Sequence, residues 1–599
     1  MGMPGGPKPD AFEHKAVILS GNLLRHVTRF FRFREAGVGK NRESRAYGSG
    51  GGPSGGAAAC SRITHVLCGF GCVFLFFLGL LINYQIIDSV AGIKYIKPAS
   101  VQRRESVPVA LARGRILGRN GVPLHYPCWQ SALAVFPARI EDRERFIAEV
   151  STLVGIDEDD LRESLNHQAA PFKLLRELPP EQAEAIMSRS IPGLVVIPEE
   201  LRYGPGSLAR HVVGHIRPNA HVNPKDNVGE SGLEKWFQTW LTGGTPLWVG
   251  TLVTGDGLEL PGSGVRIGST GEHPEDLITT LDAHVQYCLE RVLDEEGISR
   301  GGAVVLDAMS GDVLAMASRP QYDQNRPEEY FGLPDSPFVN RNISDFAPGS
   351  IWKTVVLALA LEKGYVSPEE EFECRGQVQV GTGVIRCAAF PEGHGKLTLK
   401  QALAESCNCA MVRVASRIPP QELVDWALRC GFGRILKLPL AGQSAGLLPT
   451  PSSMLPGDVA NYSIGQGYLT VTPLQAACFY RAVVAGGKWR NPVLVPGTDA
   501  REEILFSEEV SVFLQEALLL CTQEGTGAAA WVPGFGSAGK TGTAEITGSP
   551  PSSHGWFVGW TPILSPKYVI CVFCERAGDG PTVAAPIFRK IAERLLHCR

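Results

Sequence analysis

The sequence predicts a multidomain α+β protein held to a membrane by one spanning helix. Three observations carry that prediction. An apolar run from Ile63 to Ile82 holds 20 residues without Asp, Glu, Lys or Arg, long enough to cross a bilayer core. The C-terminal half opens and closes on strand-like segments with helical stretches between them, the pattern of an antiparallel sheet built from both ends and flanked by helices. A length of 599 residues, with 44% hydrophobic and 20% charged side chains, supplies more than one core and excludes a disordered or fibrous chain.

The net formal charge of -4 over this length gives no polyanion-binding field, so nucleic acid is not an expected partner. Fifteen cysteines are too scattered for a disulfide scaffold, and the odd number leaves at least one thiol unpaired within the chain. The 63–82 run exceeds the ~7–15-residue apolar region of a cleaved signal, so an uncleaved anchor is preferred over cleavage near Ser89-Val90-Ala91. Charges adjacent to the run tie, with Arg45 and Arg62 before it and Lys94 and Lys97 after it. The whole preceding tail carries ten Lys+Arg against four acidic residues, which places the tail in the cytoplasm and exports the large remainder.

The chain divides accordingly into a cytoplasmic tail and linker (1–62), the anchor (63–82), a juxtamembrane linker (83–111), an elongated upstream module (112–262) and a C-terminal domain (263–599). The tail carries a basic aromatic stretch, Arg29 to Arg34, fit to rest on anionic lipid or simply to be solvated, followed by a Gly/Ser/Pro linker, Gly48 to Gly56. In the upstream module, Asn120-Gly121 signals a hairpin, and Glu230 to Leu241 reads as one amphipathic helix stopped by Gly243-Gly244. In the C-terminal domain, Gly302 to Asp307 and Asp312 to Ala317 read as an antiparallel hairpin. Trp556 to Trp560 and Tyr568 to Glu575 read as two further strands, and a helix over about 584–597 closes the chain.

Candidate chemistry begins at Phe346 to Gly364. Pro348-Gly349 breaks the chain, Ser350 can cap, a largely apolar dozen follows, and Gly364 stops a helix that must be buried. A serine in that first turn sits among unpaired N–H groups at the positive dipole end. Lys353, three residues on, shares its face, and a partly desolvated amine is biased toward the neutral base that would activate a serine. The plainer reading makes Ser350 a cap and Lys353 a snorkelling side chain, and S-x-x-K recurs at Ser537 to Lys540. Ser406-Cys407-Asn408 supplies a hydroxyl and an amide, yet S-x-N also occurs at Ser20 and Ser164, whereas K-T-G occurs once, at Lys540-Thr541-Gly542. That last segment, Ala538 to Glu545, alternates as a strand. Lys540 and Gly542 lie on one side, Thr541 and Thr543 on the other, and an extended peptide can add along it.

S-x-x-K, S-x-N and K-T-G follow one another at separations of 56 and 134 residues, from 406−350 and 540−406. In that order they resemble the motifs of the penicillin-binding proteins. The likeness extends to ASRPQYDQN, AGLLPTPSS, SIGQGYLTVTPLQAA, the GTG at 525–527 and WFVGWTP. Upstream, RGRILGRNG, GPGSLARHVVGH and GESGLEKWFQTWLTGG resemble the pedestal, or dimerisation, module of class B members, the monofunctional transpeptidases. Departures are Gly118 where Asp is common, Trp352 where Phe is usual and Glu545 where Gln is frequent. None removes a reacting group.

The resemblance implies the penicillin-binding serine transpeptidase fold and D,D-transpeptidation of peptidoglycan stem peptides through an acyl-serine, with β-lactams acylating the same serine. It assigns Ser350 as nucleophile, Lys353 as base, Ser406 as proton carrier linked to Lys353 and Lys540, and Asn408 as holder of the substrate amide. Thr541 and Thr543 would bind the terminal carboxylate beside Gly542, and main-chain N–H groups of Ser350 and Thr543 would form the oxyanion hole, each donor worth ~3–4 kcal/mol. No cofactor is needed, and no metal-ligand spacing stands out. Cys374 and Cys387 are read as free thiols or a local disulfide, Cys407 and Cys409 as packing residues, and Cys571 and Cys574 as strand residues facing opposite sides. Rival readings are a carboxypeptidase or β-lactamase on the same scaffold, and a β-lactam sensor or scaffold. A polytopic lipid II polymerase is the expected partner by analogy. Division, elongation and sporulation are not distinguished.

Overall fold

A computed structural model of the chain describes residues 56–83, 104–110, 112–175, 177–219, 223–244, 246–254, 264–269, 274–497, 501–546 and 552–597. The basic aromatic stretch at 29–34, most of the Gly/Ser linker and residues 84–103 lie outside these. Residues 1–98 and 99–599 form separate units. In the first, α1 (Gly56–Ile82) contains the segment Thr64–Ile82, which is long and apolar enough to cross a membrane and holds no buried residue.

In the second unit the upstream module rests on two small sheets. Cys128–Val135 is flanked antiparallel by Phe172–Leu175 and Leu194–Leu201. Helices Arg143–Val154, Glu158–His167 and Pro180–Arg189 cover one face with Phe146, Ile147, Leu161, Leu165 and Ile186. The first two helices begin as their sequences dictate, on Asp142 and Asp157 side chains that accept from Arg145 N–H at 3.1 Å and Asp159 N–H at 2.8 Å. Arg104–Pro108, Trp248–Leu252 and Arg266–Gly268 make the second sheet.

A buried ion cluster ties three distant segments of this module together. Glu234 has no exposed surface; it accepts from Arg113 Nε at 2.5 Å, Arg202 Nε at 2.6 Å and Tyr203 OH at 3.1 Å. Burial opposes ionisation of Glu234, but the two guanidiniums outweigh it and hold the carboxyl below its usual range. This cluster explains why the single helix expected over Glu230–Leu241 is two short ones, Gly232–Trp236 and Gln238–Leu241, parted at Phe237. The inward residues are Leu233, Glu234 and Leu241, while Trp236 and Trp240 are more than half exposed. The Asn120-Gly121 turn forms as expected, with Gly121 at φ 73°: Leu117 bridges antiparallel to Pro123, Gly118 N–H donates to Val122 O at 2.8 Å and Leu124 N–H to Ile116 O at 3.0 Å, while Ile116–Leu117 also pairs, parallel, with Leu277–Ile278. Gly118 lies under the Leu281 carbonyl, which a Cβ there would meet at 2.7 Å, so any side chain at this position would require that carbonyl to move.

The C-terminal domain contains α2 (Ala283–Glu295), β1 (Gly301–Asp307), β2 (Val313–Arg319), α3 (Lys353–Glu362), α4 (Leu399–Ala404), α5 (Asn408–Ala415), α6 (Pro473–Val484), α7 (Glu508–Gln523), β3 (Ala538–Ile546), β4 (Ser552–Thr561), β5 (Tyr568–Cys574) and α8 (Ala585–His597). The strands form one antiparallel sheet in the order β2-β1-β5-β4-β3. Two strands from the start of the domain and three from its end thus meet, with the helices inserted between, as the sequence pattern requires.

Period-2 alternation sorts the strand residues onto two buried faces. Val304, Leu306, Cys571 and Phe573 face the core shared with α3 and α6, whereas Ala303, Val305, Ile570, Val572 and Cys574 face α2 and α8. Cys571 and Cys574 therefore do point to opposite sides. α3 is buried all round, from Lys353 through Ala360, and Trp352 packs edge-on to Phe432 and Tyr462 at 4.8 and 5.4 Å. The larger indole is absorbed by aromatic neighbours in the core. β3 is an edge strand, paired only with β4 among the described residues.

Candidate active site

Ser350 lies on a 3-10 turn, Gly349–Trp352, that leads directly into α3; the N-cap positions of the turn and of the helix are Pro348 and Trp352, so Ser350 caps neither. The expected capping role gives way to a tighter turn because the chain is pinned from two sides. Gly349, at φ 56°, donates its N–H to Gly465 O at 3.0 Å. A Cβ on it would meet Thr543 O at 2.3 Å, and one on Gly465 would meet Gly349 O at 2.0 Å. Only glycine permits this approach, at both positions. Trp556 Nε1 adds a bond to Ala347 O at 3.0 Å. Ser350 is left half-buried, on a turn packed against β3 at Thr543.

Lys353, in the first turn of α3, is fully buried. Its ammonium nitrogen donates to Ser406 O at 2.6 Å, Ser406 Oγ at 3.1 Å and Asn408 Oδ1 at 2.6 Å. Burial, and then the charge of Lys540, push its pKa down to about 7. Among the described residues no hydrogen bond joins Lys353 to Ser350; the amine that the spacing directs toward Ser350 is held by the S-x-N residues instead. Ser406 sits at the bend between α4 and α5 with φ 56°, a left-handed conformation costing a non-glycine residue ~1–3 kcal/mol. The cysteine after it is the N-cap of α5, and Asn408 is fixed further by donating Nδ2 to Arg386 O at 2.8 Å.

Lys540 is also fully buried, and burial lowers its pKa. Its ammonium donates to Thr526 Oγ1 at 3.3 Å, Thr541 O at 3.2 Å and Thr541 Oγ1 at 3.4 Å. It makes no bond to Ser406 among the described residues, contrary to the link the resemblance implies. The reason is Thr526 of the GTG segment, whose hydroxyl pairs with that of Thr541 at 2.8 Å and whose N–H donates to Ala404 O at 3.3 Å. Thr526 thereby fastens the K-T-G strand to the end of α4, just ahead of Ser406. Gly542 turns toward the serine turn, where a Cβ would meet Pro348 O at 2.7 Å. Thr543 Oγ1 accepts from Gly580 N–H at 3.2 Å, and its carbonyl accepts from Gln466 Nε2 at 3.5 Å.

The three motifs therefore converge, and the second copies of two of them do not. Ser537, of the other S-x-x-K, is fully buried and donates to Ala530 O at 2.7 Å. Ser164 belongs to a helix of the upstream module, and Ser20 lies outside the described residues. Thr526 and Gln466 were not singled out from the sequence, although the GTG and SIGQG segments that carry them were. Outside the motifs, Cys374, Cys387, His394 and Cys407 bring one ligand atom each within 4.8 Å of the others. The sequence showed no such constellation, and Cys407, read as a packing residue, belongs to it. Cys374 and Cys387 are free thiols.

Comparison with known proteins agrees with this arrangement. Residues 301–593 match the family model of the penicillin-binding protein transpeptidase domain, and residues 108–246 that of the penicillin-binding protein dimerisation domain. Stage V sporulation protein D of Bacillus subtilis is 28% identical over 570 residues, covering 88% of this chain and 86% of that protein. Peptidoglycan D,D-transpeptidase FtsI of Escherichia coli is 28% identical over 570 residues, covering 89% and 91%. A solved structure described as a peptidoglycan synthase complex coordinating polymerization and crosslinking superposes with a TM-score of 0.65 at 27% identity, over 89% of this chain and 98% of that one. A penicillin-binding protein from Helicobacter pylori, solved with MreC, gives a TM-score of 0.67 at 20% identity, over 83% and 99%. With a dimerisation module upstream of a transpeptidase domain, and three motifs gathered into one cleft, the chain belongs to the class B penicillin-binding proteins.

Proposed function

We propose that the protein is a membrane-anchored, serine-type peptidoglycan D,D-transpeptidase in which Ser350 is the nucleophile. The observation that carries this reading is the state of Lys353: a buried amine with its pKa near 7, held by Ser406 and Asn408 at the base of the turn that presents Ser350. An amine with that pKa is half neutral at neutral pH and can accept the Ser350 proton. Ser350 Oγ attacks the carbonyl of the penultimate D-Ala, the main-chain N–H groups of Ser350 and Thr543 receive the oxyanion, and terminal D-Ala leaves with a proton passed through Ser406. Asn408 holds the substrate amide. Lys540, Thr541 and Thr543 receive the terminal carboxylate, with Gly542 allowing the close approach. An amine from a second stem peptide then resolves the ester.

The catalytic domain is assigned to the outer side of the membrane, by the basic tail that precedes α1. A lipid II polymerase is the proposed membrane partner, supported by likeness to a chain of the polymerization and crosslinking complex.

Fluorescent penicillin tests the nucleophile: it should label the wild-type chain covalently and fail to label Ser350→Ala. Persistent labelling of that variant would refute the assignment. Incubation with a stem pentapeptide and an acceptor amine should yield cross-linked product. Hydrolysis alone would favour the carboxypeptidase reading.

A further inference from the structure

The cluster of Cys374, Cys387, His394 and Cys407 lies beside the catalytic cleft, and the reaction proposed above uses none of its side chains. Cys374 ends the strand Glu371–Cys374, Cys387 follows the strand Gly383–Arg386, His394 precedes the strand Gly395–Thr398, and Cys407 is the middle residue of Ser406-Cys407-Asn408. The three cysteines are buried and the histidine is half-buried. Two tight turns bring the segments together. Gly376 and Gly393 have φ of 79° and 80°, and a Cβ on Gly393 would meet Cys374 O at 2.2 Å.

The distances distinguish a metal site from a disulfide. Cys387 Sγ and Cys407 Sγ are 3.9 Å apart, and Cys387 Sγ and His394 Nδ1 are 3.5 Å apart. A tetrahedral zinc with Zn–S of ~2.3 Å and Zn–N of ~2.05 Å has edges of roughly 3.8 Å between sulfurs and roughly 3.6 Å between sulfur and nitrogen. A disulfide needs about 2.05 Å between its sulfurs. Main-chain donors already point at two of the sulfurs: Asn408 N–H to Cys387 Sγ at 3.4 Å and Ala410 N–H to Cys407 Sγ at 3.5 Å. Such donors stabilise thiolate ligands and fix their orientation.

We propose that Cys374, Cys387, His394 and Cys407 bind one zinc ion as a closed structural site. Four protein ligands leave no open position for water or substrate, so the ion takes no part in acyl transfer. Its effect is positional. It ties the two small hairpins of residues 371–398 to the turn that holds Ser406 in its left-handed conformation and presents Ser406 and Asn408 to Lys353. The four ligands span 34 residues, counting from 374 to 407, so each hairpin and the catalytic turn contribute to one fixed point.

The test uses the full chain purified in detergent under reducing conditions without chelator. Elemental analysis should find about one zinc per chain, and X-ray absorption at the zinc edge should show three sulfurs and one nitrogen at ~2.3 and ~2.05 Å. Cys407→Ala and His394→Ala should each lose most of the zinc, and Cys574→Ala, altering a buried cysteine on the face of the sheet that packs on α2 and α8, should keep it. Stripping zinc with a chelator should slow fluorescent-penicillin acylation ~10-fold and re-addition should restore it. The proposal is overturned by a wild-type chain that takes up no zinc after equilibration with the ion, or by an absorption shell of oxygen and nitrogen only. Full zinc retention in the ligand variants, or a Cys387–Cys407 disulfide in the zinc-free chain as purified, would equally sink it. Absorption measurements on the wild type decide the question even if a ligand variant misfolds. Zinc content does not depend on turnover, so this proposal and the transpeptidase assignment fail separately.

Discussion

The sharpest consequence of the cleft geometry is a pH profile. An amine with its pKa at about 7 is about one-tenth neutral at pH 6, half neutral at pH 7 and about nine-tenths neutral at pH 8. If Lys353 in its neutral form accepts the Ser350 proton, the second-order rate constant for penicillin acylation should fall about five-fold from pH 7 to pH 6. It should gain less than about two-fold between pH 7 and a plateau above pH 8. A lysine of ordinary pKa would instead give a rate climbing about ten-fold per unit through pH 9, with no plateau. The direction follows from burial, which penalises the ammonium, and from the like charge of Lys540. Removing that charge in Lys540→Met should move the rise to higher pH, because one of the two causes of the depression is gone while burial remains. The assay is stopped-flow acylation by a chromogenic or fluorescent β-lactam from pH 5 to pH 10. A log-linear climb through pH 9 in the wild type would refute the role given to Lys353, and an unmoved profile in Lys540→Met would refute the coupling between the two amines.

Three further substitutions follow from the packing. Ser537→Ala should leave penicillin labelling intact, since that hydroxyl is buried against Ala530 O; loss of labelling from a folded variant would reopen the choice of nucleophile. Glu234→Ala should strip the compensating charge from Arg113 and Arg202 and cost ~3–5 kcal/mol, read as a lowered denaturation midpoint by circular dichroism. Gly349→Ala should drive a methyl onto Thr543 O and slow acylation about 100-fold while the chain still folds, because small displacements of a reacting group are heavily penalised; wild-type rates would show that the turn is not held as described.

What was legible in the sequence was local. The apolar run, the hairpin at 301–319, the paired strands before the last helix and the three motifs are each written in short segments whose periodicity or chemistry stands alone. What was not legible depends on partners brought in from far along the chain. Thr526 matters only because folding sets it against Thr541 and Ala404. The four metal-binding candidates are separated by 13, 7 and 13 residues, from 387−374, 394−387 and 407−394, spacings that match no short ligand motif. The helix expected over 230–241 failed for a related reason. Its amphipathic pattern is local, but the buried position is a glutamate whose ionic partners lie 121 and 32 residues away in sequence.

The edge position of β3 connects this architecture to the shape of the substrate. A stem peptide ends in an extended backbone and a free carboxylate, and β3 offers one unpaired edge with Lys540, Thr541 and Thr543 on the same nine-residue strand. Main-chain bonds along that edge would hold any extended peptide, so they supply affinity without selecting a sequence. Selection must come from the strand's side chains and from the opposite wall, where Ser406 and Asn408 sit on a separate turn. The two walls are joined chiefly by Thr526, which bonds the K-T-G hydroxyl and the end of α4 at once. Thr526→Val keeps the volume and the main-chain bond to Ala404 but removes the hydroxyl's bonds to Thr541, Lys540 and Ala404 O, so it should widen the distribution of wall separations without touching Ser350 or Lys353. The expected signature is a raised half-saturating concentration for stem peptide with little change in the maximal acylation rate. A fall in the maximal rate at unchanged half-saturation would place Thr526 in the chemical step instead of in the spacing of the walls.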